Sequence, residues 1–322
     1  MHLNDIRSLI ADDMRSVDAL IECRLNSDVA LVRRISEYII GGGGKRLRPA
    51  LVLLAAGCLG YRGVIHHELA AVVEFIHTAT LLHDDIVDVS EMRRGRKTAN
   101  SQFGNAPSVL VGDFLYSRAF QMMVSAGNMR VMAVLADATN AIAEGEVLQL
   151  LNTRNASISE AEYFGVVQRK TAKLFEAAAQ IGAIVAGANA EDEQCLAQYG
   201  LHIGTAFQLI DDVLDYSGDS SETGKNLGDD LSEGKPTLPL IRVIQNGSRE
   251  QAALVRHAIE NEGKAEFQSV MEAIRATDAL EYTRERARAA SALACKGIER
   301  LPSSPHRQSL LDLAQFAVDR SH

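Results

Sequence analysis

The sequence has no tryptophan, only 5% aromatic residues and six prolines, none of them between Pro107 and Pro236. Strands joined by tight turns rarely run so far without proline, so the composition argues for helix. Cysteine is scarce. Cys23, Cys58, Cys195 and Cys295 lie far apart with no C-x-x-C pair, which argues against a disulfide framework or zinc and predicts reduced core thiols in a cytosolic protein. Long apolar runs are missing too. The longest, Pro49 to Tyr61, is too short to span a bilayer, and Asp5, Arg7, Asp12 and Asp13 interrupt the start where a signal peptide needs an apolar stretch. A soluble, cytoplasmic protein is expected. Positive charge is in deficit, with 33 Lys and Arg against 42 Asp and Glu and a net charge of −9. The overall field repels a phosphate backbone, so nucleic acid is not an expected partner.

What is present is an ordinary globular mixture, 47% hydrophobic and 23% charged over 322 residues. No linker composition, charge block or short repeat divides it, which predicts a single domain over residues 1–322. Apolar residues recur at helical spacing, as in Leu69, Val72, Val73, Ile76 and Ala79, or Leu174, Ala177, Ala178, Ile181, Ile184 and Val185. The pattern predicts roughly a dozen helices and no strand, several of about 20 residues or more, packed as a bundle. The stretch Ser217 to Gly234 holds four glycines and two apolar side chains, Leu227 and Leu231. It reads as a structureless functional loop that moves.

The strongest chemical signal is LLHDDIVDVSEMRRG, residues 81–95. At 100° per residue, Asp84 and Asp88 share a helix face one turn apart, with Asp85 flanking. Like charges at that spacing repel, and partly buried they need a cation; oxygen ligands on a rigid helix suit hard Mg²⁺. The arrangement returns in FQLIDDVLDYSGD with Asp211, Asp212 and Asp215. One solvated helix end could carry such a triplet, but two copies among Leu, Ile and Val point to metal. Cations lie near both. GGGGKRLRP places Lys45, Arg46 and Arg48 after a glycine run that lets backbone approach an anion, although it is not a Walker loop. Arg93 and Arg94 follow the first triplet, while Lys170, Thr171, Lys225 and Lys235 lie elsewhere. Paired carboxylate clusters with cations near both are suited to diphosphates. His77 lies within 20° of the Asp84 face by the same helical arithmetic, and Gln208 precedes Asp211 by three residues.

Together these motifs, with the K-T pair and GKNLGDD followed by EGKPT, resemble the trans-type (E) polyprenyl diphosphate synthases, the long-chain bacterial octaprenyl enzymes in particular. The resemblance implies an all-α isoprenoid synthase-type bundle around a deep central cavity, usually in a homodimer. It implies Mg²⁺ on Asp84, Asp88 and Asp211, with Asp85, Asp212 and Asp215 in support. Isopentenyl diphosphate would be held by Lys45, Arg48, His77 and Arg94. The allylic diphosphate, farnesyl for a long-chain enzyme, would be contacted by Arg93, Lys170, Thr171, Gln208, Lys225 and Lys235. The implied product is octaprenyl diphosphate for a quinone side chain, with other lengths from C30 to C50 open. Short-chain relatives carry aromatic residues four or five positions before the first aspartate. The small Ala79 and Thr80 here predict an open tunnel, floored by Met122, Met123 or Leu135, with Met123 first by resemblance. Rival readings are a class I terpene cyclase, a di-iron bundle using Glu74 and His77, and a non-enzymatic helical scaffold.

Overall fold

The computed structural model describes residues 3–217, 227–261 and 263–320. Helices dominate, and four of them exceed 20 residues: Ile65–Val87, Asn105–Ser125, Met129–Asn152 and Ala190–Ser217. Two compact units form among the described residues. One draws on Met1–Thr139, Leu174–Gly200 and Cys295–Leu313, the other on Asn140–Lys173, Leu201–Ala294 and Ala314–His322. Neither is a continuous segment, which is why no linker composition marks a boundary.

In the first unit the helix Ile65–Val87 packs along Leu47–Cys58, Asn105–Ser125 and Ala11–Arg24. Its apolar spacing puts Leu69, Val72, Val73, Phe75 and Ile76 out of contact with solvent, together with Leu51 and Leu54 of its neighbour. Each such side chain contributes about 1.5–3 kcal/mol through burial. Small residues set the helix separations. A Cβ on Gly182 would stand 2.7 Å from Val52 O, and one on Gly200 would stand 2.3 Å from Phe175 O. The second unit has its own core, in which Tyr216, Leu240, Val243, Val255, Ile259, Val270 and Ile274 cluster. A further cluster joins Val167, Leu209, Ile210 and Ile241.

Three sequence expectations need correction. Strands exist: Met92–Arg93 and Arg96–Lys97 pair antiparallel, Met92 with Lys97 and Arg93 with Arg96. The turn between them is Arg94 at φ 53° and Gly95 at φ 70°, a two-residue turn with both φ positive, whose twist matches a hairpin. The thiols are unpaired, but only Cys58 is buried; Cys23 is exposed, and Cys195 and Cys295 are half-buried. Cys23 follows the buried Ile21 by two residues, which turns it to the opposite side of its helix. The structureless stretch from Ser217 is also shorter than expected. Asp229–Ser232 is helical, Leu231 is buried, Gly228 N donates to Asp215 O at 2.9 Å, and Arg154 N donates to Gly234 O at 2.8 Å. Residues 218–226, including Lys225 and the expected movement, lie outside the described residues.

Gly200→Ala should cost about 1–3 kcal/mol, because the methyl group meets backbone rather than a side chain that can swing away. Thermal unfolding should show Tm lowered by several degrees; an unchanged Tm would mean that this contact does not set the helix separation.

Candidate active site

The helix Ile65–Val87 delivers Asp84 and Asp85 in its last turn, and Asp88 is its C-cap. Asp84 and Asp88 are half-buried, whereas Asp85 is buried. Arg93 grips Asp85, with Nε and Nη2 each 2.7 Å from Oδ1. Burial pushes the Asp85 carboxyl up, Arg93 pulls it down, and the Asp84 and Asp88 charges push it up again. The hairpin explains the geometry: its first strand carries Arg93 to the carboxylate, and its left-handed turn sends Arg94 to donate to Gly43 O. Gly44 has φ 152°, and a Cβ there would stand 2.8 Å from the Arg94 guanidinium. The glycine run thus admits an arginine side chain.

Arg46 is a left-handed N-cap at φ 52° and turns to Glu74, with Nη1 2.5 Å from Oε1. Burial raises the Glu74 carboxyl against the pull of Arg46. This pairing takes Glu74 away from the ligand role that the di-iron reading requires. Arg48 lies over the Phe175 ring at 4.4 Å, and its Nη1 is 3.1 Å from His77 Nε2. Burial lowers the His77 pKa well below its ordinary value, and Arg48, Arg94, Arg93 and Arg46 lower it further. The ring is therefore neutral at neutral pH, and its Nε2 accepts from Arg48. Lys45 is half-buried at the end of the glycine run. Of the chain-length candidates, Ala79, Met123 and Leu135 are buried, while Thr80 keeps accessible surface and donates to His77 O at 2.7 Å.

In the second unit, Asp211, Asp212 and Asp215 lie in the helix Ala190–Ser217. Residues Gln168–Ala172 form one π-helical turn, a local widening often found at functional sites. It approaches Gly145 so closely that a Cβ there would stand 2.6 Å from Lys170 N. Lys170 Nζ reaches Glu146 Oε2 at 2.5 Å. Thr171 Oγ1 donates to Gln208 Oε1 at 2.9 Å, and Gln208 Nε2 donates to Asp212 Oδ1 at 2.8 Å. Tyr163 OH completes the chain by donating to Asp212 Oδ2 at 2.5 Å. Burial and the Asp230 charge push the Asp212 carboxyl up to about 7 against the opposing hydrogen bonds from Tyr163 and Gln208. Asp230 N donates to Asp215 Oδ2 at 3.3 Å. Lys235 pairs with Glu233 at 2.6 Å. Asp211 Oδ1 lies 2.7 Å from Arg320 Nη2, and that guanidinium stacks 3.6 Å from the Phe207 ring centroid.

These placements bring together Arg93 with Asp85, Arg48 with His77, and Thr171 with Gln208 and Asp212. Sequence reasoning missed Tyr163, Glu146 and Arg320, which stand in no motif. It read Arg46 only as one of three cations and Asp230 only as part of GKNLGDD. The donor chemistry fits a hard divalent cation, because each triplet offers crowded carboxylate oxygens around one buried aspartate, Asp85 or Asp212.

The polyprenyl synthetase family model matches residues 29–277. The chain belongs to that family. Over 321 residues it is 53% identical to octaprenyl diphosphate synthase of Escherichia coli (strain K12), covering 99% of each chain. It is 50% identical over 323 residues to octaprenyl diphosphate synthase of Haemophilus influenzae, covering 100% of this chain and 98% of the other. The crystal structure of a polyprenyl synthase from Caulobacter crescentus CB15, complexed with calcium and isoprenyl diphosphate, is 43% identical with a TM-score of 0.96, covering 100% of this chain and 98% of that one. The all-α fold is that of the polyprenyl synthases.

Asp212 holds its proton more tightly folded than unfolded. Its contribution to stability is complete below the ordinary aspartate range near about pH 4 and is lost as pH rises through about 7. In metal-free protein the Tm of Asp212→Asn should therefore gain on wild type between about pH 5 and about pH 8. A constant difference in melting curves across that range would remove the buried-carboxylate account.

Proposed function

We propose that this family member is a long-chain trans-prenyltransferase that adds isopentenyl diphosphate units to an allylic diphosphate and makes octaprenyl diphosphate. Full-length identity of 53% to an octaprenyl diphosphate synthase supports the product class. The observation that carries the chemistry is the first unit's pairing of carboxylates with fixed cations: Asp84, Asp85 and Asp88 beside Arg93, and Arg48 bonded to a neutral His77. Residues 1–322 act as one polyprenyl synthase domain, as a homodimer in the cytoplasm, for a quinone side chain. No helix among the described residues is long and apolar enough to cross a membrane. The exposed Leu110, Phe120 and Val124 on one helix are consistent with a protein partner surface.

Asp84, Asp88 and Asp211 would hold divalent metal, Mg²⁺ by their oxygen chemistry, with Asp85, Asp212 and Asp215 shaping the charge around them. Metal bound there supplies positive charge to the diphosphate leaving group as its C–O bond breaks. Lys45, Arg48 and Arg94, oriented with neutral His77, hold isopentenyl diphosphate. Arg93, Lys170, Thr171, Gln208, Lys225 and Lys235 hold the allylic diphosphate and its developing charge. Thr171 and Gln208, already locked in a directed chain of hydrogen bonds, present fixed dipoles rather than mobile ones, so little reorganisation is needed as the allylic cation forms. The double bond of isopentenyl diphosphate attacks that cation, and loss of a C2 proton to the departing diphosphate gives an allylic diphosphate one unit longer.

Purified protein given isopentenyl and farnesyl diphosphates with Mg²⁺ should consume both and yield a C40 product by mass. A chain that leaves isopentenyl diphosphate unused is not a synthase. Asp84→Asn and Asp88→Asn should each lower turnover by about a hundredfold or more with circular dichroism unchanged, since metal-borne charge stabilisation is worth several kcal/mol. Near-normal rates in both at saturating Mg²⁺ would overturn the metal assignment.

Chain length should respond to the positions one turn before Asp84. Thr80 retains accessible surface, so Thr80→Phe should shorten the product to C15–C20, whereas Ala79 is closed off and Ala79→Phe should also lower Tm by overpacking. Met123→Ala should lengthen it. Product mass checks each, and an unchanged length from both aromatic variants would remove the tunnel argument.

A further inference from the structure

At the opposite end of the helix that carries the first aspartate motif, the helix Ala11–Arg24 meets the start of Ile65–Val87. There Asp13, His66 and His67 converge, with one potential ligand atom from each lying within 4.8 Å of the others. His67 Nε2 is 2.8 Å from Asp13 Oδ1, and His66 Nε2 is 3.7 Å from the same oxygen. Ligand atoms around a tetrahedral Zn²⁺ at about 2.0–2.2 Å stand about 3.3 Å apart. The two separations from Asp13 Oδ1 bracket that spacing, and the two imidazole nitrogens stand within 4.8 Å of one another.

His66 carries the argument further. It is buried at 7% exposure, its Nδ1 has no hydrogen-bond partner, and its Nε2 is too far from Asp13 for a hydrogen bond. Tyr61 contacts it edge-on at 5.1 Å, and the His67 ring lies 4.1 Å away on a tilted plane. Leaving Nδ1 unpaired inside the fold is costly, and Nε2 faces Asp13 Oδ1 with no hydrogen bond between them, which leaves that nitrogen to a ligand. Burial and the neighbouring His67 together lower its pKa to about 4, against the pull of Asp13. Its place in the first turn of a helix also disfavours a protonated ring. The ring is neutral, the form that binds metal.

We propose that Asp13, His66 and His67 form a transition-metal site, with Zn²⁺ the cation matched by two imidazoles and a carboxylate, which ties the N-terminal helix to the start of the first aspartate helix. A fourth position remains for water. Imidazole nitrogens separate this site from the all-oxygen triplets, which favour Mg²⁺.

The test is calorimetric titration of the EDTA-stripped full chain with Zn²⁺ in millimolar Mg²⁺, which occupies the aspartate motifs. One saturable equivalent should bind and raise Tm. Affinity should fall by about tenfold or more in both Asp13→Asn and His67→Gln, and remain in Cys23→Ser, the control for an exposed thiol. As a measurement that needs no variant, Co²⁺ added to wild type under the same conditions should give the visible absorption of a four- or five-coordinate site. Absence of saturable Zn²⁺ binding, a smaller loss in either variant, or a Co²⁺ spectrum of six-coordinate aqueous type only would overturn the site.

Discussion

Carboxylates held with little water dictate most of what surrounds them here. An apolar helix ending in aspartates is unfavourable by itself, because desolvation and like charge both penalise ionisation. Each buried carboxylate in the candidate site therefore has a named counterweight. Arg93 grips Asp85, Arg46 grips Glu74, and Asp212 takes hydrogen bonds from Tyr163 and Gln208. The difference among these counterweights is instructive. A guanidinium keeps Asp85 in ion-pair contact, whereas Asp212 has only neutral donors and sits at about 7, where it exchanges a proton near neutral pH.

The arginines are organised by the same constraint. Arg46 is neutralised by Glu74, which leaves Arg48 to bond His77 and cover Phe175. A protonated His77 amid four arginines would be repelled, and burial already removes that proton. The neutral ring then accepts from Arg48 and fixes the direction of its guanidinium. Local backbone strain serves this end: Arg46 and Arg94 adopt φ near +50°, which costs about 1 kcal/mol or more for a residue with a side chain. The pairing of Arg46 with Glu74 and of Arg94 with Gly43 O offsets it.

What the sequence made legible follows from periodicity. Helices, the aspartate faces and the cations near them depend on local spacing, and Asp84 with Asp88 or Gln208 with Asp212 can be placed by counting. Tyr163, Glu146 and Arg320 act on those residues from 49, 24 and 109 positions away along the chain; nothing in their neighbourhoods announces it. The hairpin was within reach, because Arg-Gly is a pair that supports left-handed backbone, yet a lone X-Gly between charged residues is a weak signal. The π-helical turn has no sequence mark except the glycine opposite it. Gly145 needs its missing side chain for Lys170 to approach, and a glycine inside a long helix invites that question.

Arg320 shows how such a distant residue enters the chemistry. Its guanidinium is almost wholly buried, stacks on Phe207 and occupies an oxygen of Asp211, a residue proposed to hold metal. Asp211 itself is 44% exposed, so solvent weakens the pair, and the guanidinium is also held by stacking on Phe207 and by donating to Phe207 O. A carboxylate already satisfied by one cation offers less to a second. Asp211 must therefore either share its two oxygens or release Arg320 when it takes a metal ion. Release of Asp211 would leave the guanidinium its stacking on the Phe207 ring and its hydrogen bond to Phe207 O. Asp211 thereby links the second aspartate triplet to Arg320, 109 positions further along the chain, by charge.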